Sequence, residues 1–220
     1  MPINKIYLEP FYPEHAYHVF NRTNNKELLF HSDENCRHFL EEYHNRLDYL
    51  LETYAWGLLP NHFHLEVKMR PEEYSKEWLY RIPKKDRTLT ENQYLIGELP
   101  YDTLAHRALR RFFQSYAMTK NNERKRSGNL FTRPFRCTEI KDDDYFKQVM
   151  LYIHTNPIKH GIIRDLNDYT WTSWHDYKTN TIPPHIRNEV YKLFGNKQAF
   201  IAAHEAKQSS FLNLDFENFW

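Results

Sequence analysis

The chain has 220 residues, of which 40% are hydrophobic, so it can form a buried core in one elaborated domain or in one domain with a small appendage. Its formal net charge of +1 excludes neither acidic nor basic partners, because the charges are unevenly spread. The two cysteines, Cys36 and Cys137, are too far apart in sequence to indicate a disulfide framework or a thiolate metal site, so we interpret both as reduced. No stretch approaches the roughly 18 apolar residues of a membrane span, and the first residues do not resemble a secretion signal. We therefore expect a soluble, cytoplasmic protein with no membrane partner.

The first part of the chain alternates strand and helix patterns. Residues 16–23, AYHVFNRT, are rich in β-branched and aromatic side chains and predict a strand. A helix should begin after Ser32, the expected N-cap, because apolar residues then recur at helical spacing. Residues 53–59 and 62–69 follow, separated by a Pro-Asn pair, and predict the two strands of a hairpin.

The next elements are mainly helical. Residues 71–100 are charged and interrupted by prolines, which predicts an insertion with at most short helices. A long amphipathic helix is predicted over 101–122, followed by a turn and a short strand in SGNLFTRPFRCTEI. A further helix should begin at the acidic residues 142–144 and run through Thr155, because Pro157 then stops it.

This order of elements predicts an α+β fold with a central antiparallel sheet and flanking helices, and a ferredoxin-like arrangement is our first choice. One more helical stretch is expected at about 186–207. We divide the chain into a main domain, residues 1–180, and a C-terminal helical tail, residues 181–220.

Basic residues concentrate in one part of the chain. Residues 104–141 contain ten Lys and Arg residues against two acidic residues, a local charge of +8, while the rest of the chain sums to −7. Such a run is either a solvated helix face or a phosphate-binding surface. The interleaved aromatic residues favour the phosphate-binding surface, since unpaired bases stack on aromatic rings.

Two histidines share one face of the second hairpin strand. In HFHLEVKM, alternate residues point to opposite faces, so His62, His64 and Glu66 lie opposite an apolar face that should pack on the core. Two imidazoles about 6 to 7 Å apart along a strand can share one metal ion, and Glu66 is next in line. With 13 histidines in the chain, however, such a pair also arises by chance.

Two polar residues lie at the edge of the apolar face of the 142–155 helix. Tyr152 and Asn156 are four residues apart and therefore stack one turn above the other, where both can reach a site on the sheet. The chain has 16 tyrosines, and most tyrosines at such positions are packing residues. Tyr116 is the rival nucleophile, but it occupies an apolar position of its helix. Near Tyr152, we interpret His160 as a helix-end cation and leave His154 without a role.

Several segments resemble one known family. LLPNHFH resembles the HUH motif (histidine, bulky apolar residue, histidine) of single-tyrosine transposases, and YIHTNPIKHG resembles their tyrosine-helix motif. YHVFNR, RSGNLFTRPF and DYTWTSW are similar to further family segments, in the family's order, from about Tyr17 to Tyr177. The combination is more specific than any single motif, and the chain most resembles the REP-associated tyrosine transposases.

The resemblance implies a ferredoxin-like HUH-endonuclease fold that nicks and rejoins single-stranded DNA at hairpin or palindromic repeats. It implies that Tyr152 is the nucleophile, leaving a 5′-phosphotyrosine and a free 3′-hydroxyl. It also implies that His62 and His64 bind a divalent ion, Mg²⁺ or Mn²⁺, with Asn156 at the position of the family's third ligand.

The expected partner is single-stranded or hairpin DNA, and a homodimer is left open because some relatives act as dimers and others as monomers. Arg133 and Arg136 are the preferred phosphate contacts. The full set of candidate DNA-binding residues is Arg110, Arg111, Lys120, Arg124, Lys125, Arg126, Arg133 and Arg136.

Departures from the family pattern limit what the resemblance implies, the role of Glu66 as a ligand or base rests on strand alternation alone, and two alternative functions stay open. Residues 71–100 are longer than expected, and the tail beyond about Tyr177 has no counterpart that we can assign. One alternative is a repeat-binding or regulatory DNA-binding protein without transposition activity, although the intact set of His62, His64, Tyr152 and Asn156 argues against it. A metal-dependent hydrolase of small substrates is the other.

Overall fold

A computed structural model describes residues 9–132 and 135–212. Its centre is a sheet of four strands, β1 (Ala16–Arg22), β2 (Leu51–Leu59), β3 (His62–Met69) and β4 (Arg136–Ile140). The strand order is β2-β3-β1-β4, and all neighbouring strands are antiparallel. The antiparallel α+β architecture predicted from the sequence is therefore present.

One face of the sheet is covered by two long helices, α1 (Asp33–Leu47) and α4 (Tyr101–Glu123). Phe63 on β3 packs against Phe39 of α1 and Phe113 of α4, with ring centroids 5.2 and 5.1 Å apart. Between β3 and α4 the insertion forms two shorter helices, α2 (Glu72–Arg81) and α3 (Leu89–Leu95), in agreement with the prediction. The apolar side of HFHLEVKM thus forms the core that its alternation predicted.

The opposite face is covered by α5 (Asp143–Lys159), which packs on β2 and β3. Three more helices, α6 (Trp174–Thr179), α7 (Pro184–Phe194) and α8 (Lys197–Leu212), complete a second core, in which α7 and α8 both contact α5. Residues 171–173 run along β2 and hydrogen-bond to its edge through backbone groups. Both faces of the sheet are therefore covered, and polar residues on the second face are buried as well.

Two predicted helix boundaries were wrong. The predicted tail helix is two helices, because Gly195, at φ 99°, ends α7 before α8 begins. The helix α5 does not stop before Pro157 but continues to Lys159. Pro157 lacks the N–H that would bond to the carbonyl of Ile153. That carbonyl instead faces Gly57 of β2, where it lies 3.2 Å from the position that a Cβ atom would take.

The capping predictions were correct. Ser32 accepts a hydrogen bond from the backbone N–H of Asn35, and Asp142 accepts one from that of Tyr145. Both Cys36 and Cys137 are buried free thiols. Within the described ranges, no helix is both long and apolar enough to cross a bilayer.

Candidate active site

A cleft of about 500 Å³ opens where α5 lies over β1 and β3. All four residues predicted to carry the chemistry are brought to this region: His62, His64 and Tyr152 line the cleft, and Asn156 contacts His62. The lining residues are Phe20, Asn21, Arg22, Lys26, Asn61, His62, His64, Thr132, Arg136, Tyr152, Lys159 and His160. Among the described residues, four permanent cations and no acidic side chain line it, so the cleft suits an anionic ligand.

His62 lies between two amide oxygens. Its Nδ1 is 2.6 Å from Oδ1 of Asn61, and its Nε2 is 3.2 Å from Oδ1 of Asn156. Burial lowers the pKa of His62 to about 4, so near pH 7 the ring carries one proton and can donate to only one of the two oxygens. At the other contact, two lone pairs face each other. A bound cation would satisfy both.

His64 is oriented by a second buried histidine. Its Nδ1 is 2.9 Å from Nε2 of His18 on the neighbouring strand β1, which leaves Nε2 of His64 as the nitrogen for a metal ion. Burial lowers the pKa of His64 well below its usual range, and the neighbouring His18 and His62 lower it further. Burial also lowers the pKa of His18 to about 4. Both rings are therefore neutral near pH 7, as metal binding requires.

Tyr152 stands over this pair from α5. Its ring centroid is 5.2 Å from that of His64, and the two rings meet edge to face. The ammonium group of Lys159 lies 4.9 Å from the centroid of the same phenol ring. Burial raises the pKa of Tyr152, and the Asn156 amide partly opposes this. The phenol is therefore protonated near pH 7, and its use as a nucleophile requires a group that accepts or displaces its proton.

The donor set fits a divalent cation. In the described part of the chain, no group of three or more His, Cys, Asp or Glu side chains is arranged to hold a metal ion. The predicted set is different, since it consists of the imidazoles of His62 and His64 and the amide of Asn156. When His62 donates through Nδ1 to Asn61, the lone pairs of its Nε2 and of Oδ1 of Asn156 face each other, and a cation would resolve that contact.

The predicted DNA-binding residues do not all reach this cleft. Arg133 lies outside the described residues, and of the other seven, Arg136 lines the cleft. Lys120 is only 1% exposed and pairs with Glu123 at 2.8 Å. The guanidinium of Arg124 donates to the carbonyls of residues 28 and 29, and that of Arg126 pairs with Glu27. Lys120 is thus buried, and Arg124 and Arg126 are half-buried and bonded to groups of the protein itself. Arg111 and Lys125 are exposed, and Arg110 is half-buried.

Sequence reasoning missed several residues of the cleft. Arg22 ends β1, Lys26 follows it in the chain, and Lys159 ends α5, so three of the four cations lie outside the basic segment on which the prediction rested. Phe20 lies beneath Arg136, whose guanidinium carbon is 5.8 Å from the ring centroid. Phe20 and Arg22 lie in YHVFNR, and Lys159 lies in YIHTNPIKHG, so the segments that carried the resemblance contain three of the missed residues; Lys26 lies in neither.

Other sequence-based interpretations need correction. Glu66 does not line the cleft; it is fully buried, and neither carboxyl oxygen has a hydrogen-bond partner among the described residues. His160 was interpreted as a cation, but burial lowers its pKa, so it is neutral near pH 7. Tyr116, by contrast, needs no correction: as its apolar helix position predicted, it is buried among Phe39 and Phe112, on the face of the sheet opposite Tyr152.

Comparisons with known proteins show what the chain as a whole is similar to. No family model matches the chain. A protein of Haemophilus influenzae, provisionally named a REP-associated tyrosine transposase, is 28% identical over 136 residues, which span 61% of this chain and 66% of the relative, just under two thirds of its length. The predicted similarity to REP-associated tyrosine transposases is confirmed.

A solved structure gives the same result for the fold. It is described as a REP-associated tyrosine transposase bound to a REP hairpin, and it matches with a TM-score of 0.52 at 15% identity, covering 81% of this chain and 87% of that one. The chain therefore shares its antiparallel-sheet fold with that structure, as the resemblance implied. The cleft between β1, β3 and α5 lies within that fold.

Proposed function

We propose that this protein is a transposase-type endonuclease and strand transferase, which nicks and rejoins single-stranded DNA at hairpin or palindromic repeats through Tyr152. The observation that carries the proposal is the convergence of Tyr152, His62, His64 and Asn156 in a cleft lined by four permanent cations. The curated relative and the solved transposase support the same activity. The proposal places the protein in the cytoplasm with the DNA that it cleaves.

The covalent step uses the phenol of Tyr152. Its oxygen attacks the scissile phosphorus, the bond from phosphorus to the 3′-oxygen breaks, and a 5′-phosphotyrosine forms. The departing 3′-oxygen ends as a hydroxyl, and the phenolic proton is released. Rejoining reverses these bonds with the 3′-hydroxyl of another strand, so no nucleotide cofactor is consumed.

A divalent metal ion, Mg²⁺ or Mn²⁺, fits the proposal. It would be held by Nε2 of His62, Nε2 of His64 and Oδ1 of Asn156, and when bound it supplies Lewis-acid polarisation of the phosphate and favours ionisation of a nearby phenol. His18 and Asn61 hold the two ligand rings in place. The burial of both imidazoles keeps them neutral, so each has one nitrogen free to bind the ion.

The DNA backbone would lie along the cationic rim of the cleft. Arg22, Lys26, Arg136 and Lys159 can each contact a phosphate, and Phe20 offers a ring on which an unpaired base can stack. Every one of these residues, like the four chemical groups, comes from the same chain.

The test is covalent trapping with DNA. The protein is incubated with 5′- and 3′-labelled single-stranded hairpin oligonucleotides from the repeats of its own genome, plus Mn²⁺, and resolved on a denaturing gel. We expect an adduct that retains the DNA 3′ of the nick, and that disappears with EDTA and with Tyr152→Phe.

Tyr145→Phe is the matched control, because Tyr145 lies on the same helix and is 36% exposed. This variant should form the adduct at the wild-type rate. Hairpin binding without any adduct, across repeats and metals, would contradict the proposal and favour a repeat-binding protein without transposition activity.

A further inference from the structure

A chain of hydrogen bonds joins the sheet to the C-terminal helix α8 through the tyrosine helix α5. The backbone N–H of Trp56 on β2 is 2.9 Å from Oγ of Ser173, which in turn is 2.8 Å from Nε2 of His154 on α5. Nδ1 of His154 is 2.8 Å from Nε2 of His204 on α8. Nδ1 of His204 is 2.8 Å from the backbone carbonyl of Phe200. Four elements far apart in sequence are thus joined by one set of contacts.

The proton on each link can be assigned from its two ends. The carbonyl of Phe200 can only accept, so His204 donates through Nδ1 and accepts at Nε2. His154 must then donate through Nδ1 and accept at Nε2, where the hydroxyl of Ser173 donates. The hydroxyl oxygen itself accepts from the N–H of Trp56. This assignment holds for neutral imidazoles, and burial keeps both rings neutral by lowering their pKa values. The carbonyl of Trp56, 3.4 Å from Oγ of Ser173, is a second, longer-range acceptor for the hydroxyl.

This chain of hydrogen bonds is shielded from water. His154, Ser173 and His204 are all 0% exposed, and the aromatic rings of Trp174 and Phe200 lie within 5 Å of the His204 ring, at centroid distances of 4.8 and 4.3 Å. A buried polar group that loses its partner here cannot be satisfied by solvent. The arrangement of the four elements is therefore specified by these bonds as well as by apolar packing.

The position of His154 connects these hydrogen bonds to the side of α5 that carries Tyr152. His154 lies two residues after Tyr152 and two before Asn156, and residues two apart on a helix point about 200° apart, to nearly opposite sides. Tyr152 and Asn156 face the cleft, while His154 is held from behind by α8 and Ser173. Rotation or sliding of α5 would break the bonds on one side and move the nucleophile on the other.

We infer that His204 is a positioning residue, through which the C-terminal helices fix the rotation and depth of α5 and so hold Tyr152 in register with His62 and His64. This inference rests on the proposed function and deepens it. The C-terminal helices, for which the sequence indicated no role, become part of the cleavage machinery in the same chain. None of the described residues of these helices lines the cleft, so this role does not depend on DNA contacts there.

The test compares two substitutions at one position. In His204→Gln, the side-chain oxygen can accept from His154 and the side-chain N–H can donate to the carbonyl of Phe200, so the hydrogen bonds are preserved. In His204→Phe, the ring still packs against its aromatic neighbours, but the bonds are lost. We expect His204→Phe to form the covalent adduct about 10- to 100-fold more slowly in single turnover, because small displacements of a reacting group have effects of that size. His204→Gln should stay within about 3-fold of the wild-type protein, and both variants should bind the hairpin with unchanged affinity.

Equal rates for His204→Phe and the wild-type protein would overturn the inference, as would a parallel loss of hairpin affinity. If His204→Phe does not fold, Ser173→Ala decides instead, because it removes the donor to His154 at the other end of the chain and should slow the adduct to a similar degree.

Amide hydrogen exchange of α5 separates this inference from the proposed function. Exchange at Tyr152 to Asn156 should be faster in His204→Phe than in His204→Gln, whether or not the protein cleaves DNA. If the wild-type protein forms no adduct, the proposed function fails, and unequal exchange still supports the link between α8 and α5. Equal exchange in the two variants would refute that link.

Discussion

Nδ1 of His64 and Nε2 of His18 lie 2.9 Å apart in the interior of the protein, on neighbouring strands and 46 residues apart in sequence. If His64 binds a metal ion through Nε2, its Nδ1 carries the proton and donates it to His18. His18 is then the acceptor that fixes both the tautomer and the plane of the ligand ring.

Replacement of His18 should therefore weaken metal binding without removing a ligand. We expect His18→Phe to lower Mn²⁺ affinity about 10- to 100-fold, the usual effect of losing such a partner. His18→Gln, whose oxygen can accept from His64, should lose less. Isothermal titration of Mn²⁺ in a Tyr152→Phe background measures this without cleavage, and equal affinities in all three proteins would show that His18 does not orient His64.

The buried carboxyl group of Glu66 should make the protein less stable at high pH. Burial raises its pKa well above the usual value, so the folded protein keeps the proton that the unfolded chain releases. The contribution of Glu66 to the free energy of unfolding is fully present below its pKa in the unfolded chain, about 4.5. This contribution is lost as the pH rises towards the pKa of Glu66 in the folded protein. Glu66→Gln removes this loss and should gain free energy of unfolding relative to wild type as the pH rises from 6 to 8.

Urea denaturation at several pH values measures that gain, with Glu98→Gln, at an exposed position, as the control that should show none. Cleavage should be unaffected, because Glu66 does not line the cleft. A loss of metal binding or of cleavage in Glu66→Gln would instead restore Glu66 as a member of the site.

Acid should destabilise the protein through its buried histidines. Burial lowers the pKa values of His18, His62 and His204 to about 4, against 6.5 for an unperturbed imidazole. Unfolded chains therefore bind more protons between pH 6.5 and 4, and stability present above pH 6.5 is lost as the pH falls through this window. Each such group contributes up to about 1.4 kcal/mol per pH unit. The free energy of unfolding between pH 7 and 5 should fall less steeply in His204→Gln than in wild type; identical slopes would contradict the assignment for His204.

Gly57 allows the close approach of α5 to the sheet. A Cβ atom there would lie 3.2 Å from the carbonyl oxygen of Ile153 and 3.3 Å from its Cγ2. Gly57→Ala should therefore displace α5 and cost about 1 to 3 kcal/mol of stability, the usual range for overpacking. Thermal unfolding measures the loss, and single-turnover cleavage should slow with hairpin affinity kept. Unchanged stability and rate would mean that α5 tolerates a shift at this contact.

Phosphate contacts inside and outside the cleft should differ in their effect. Arg136 lines the cleft, whereas Lys125 is exposed beyond the end of α4. Arg136→Ala should weaken hairpin binding and reduce the slope of log affinity against log salt by about 1, because one phosphate contact is lost. Lys125→Ala, with the same change in net charge, should leave the slope nearly unchanged. If Lys125→Ala lowers the slope and Arg136→Ala does not, the DNA contacts the end of α4 and not the cleft.

Local periodicity in the sequence determined most of the elements and the direction of the site residues. The alternation in HFHLEVKM placed His62 and His64 on one face, and the four-residue spacing of Tyr152 and Asn156 placed both on one side of α5. These assignments depend on strand and helix geometry alone, which neighbouring residues specify. The motifs added the resemblance to a known family. That resemblance gave the expectation that the histidine pair on β3 and the Tyr152–Asn156 pair on α5 lie in one site.

Only the tertiary structure decided what covers each face and which charges remain available. The second face of β3 was expected to be polar, yet α5 and the C-terminal helices bury His64 and Glu66 there. Lys120 was counted as a DNA contact until its burial beside Glu123 became visible. His18 and His204 contact their partner histidines from 46 and 50 residues away. A repeating pattern encodes where a side chain points from its own backbone, but burial, pairing and pKa depend on elements that arrive from distant parts of the chain.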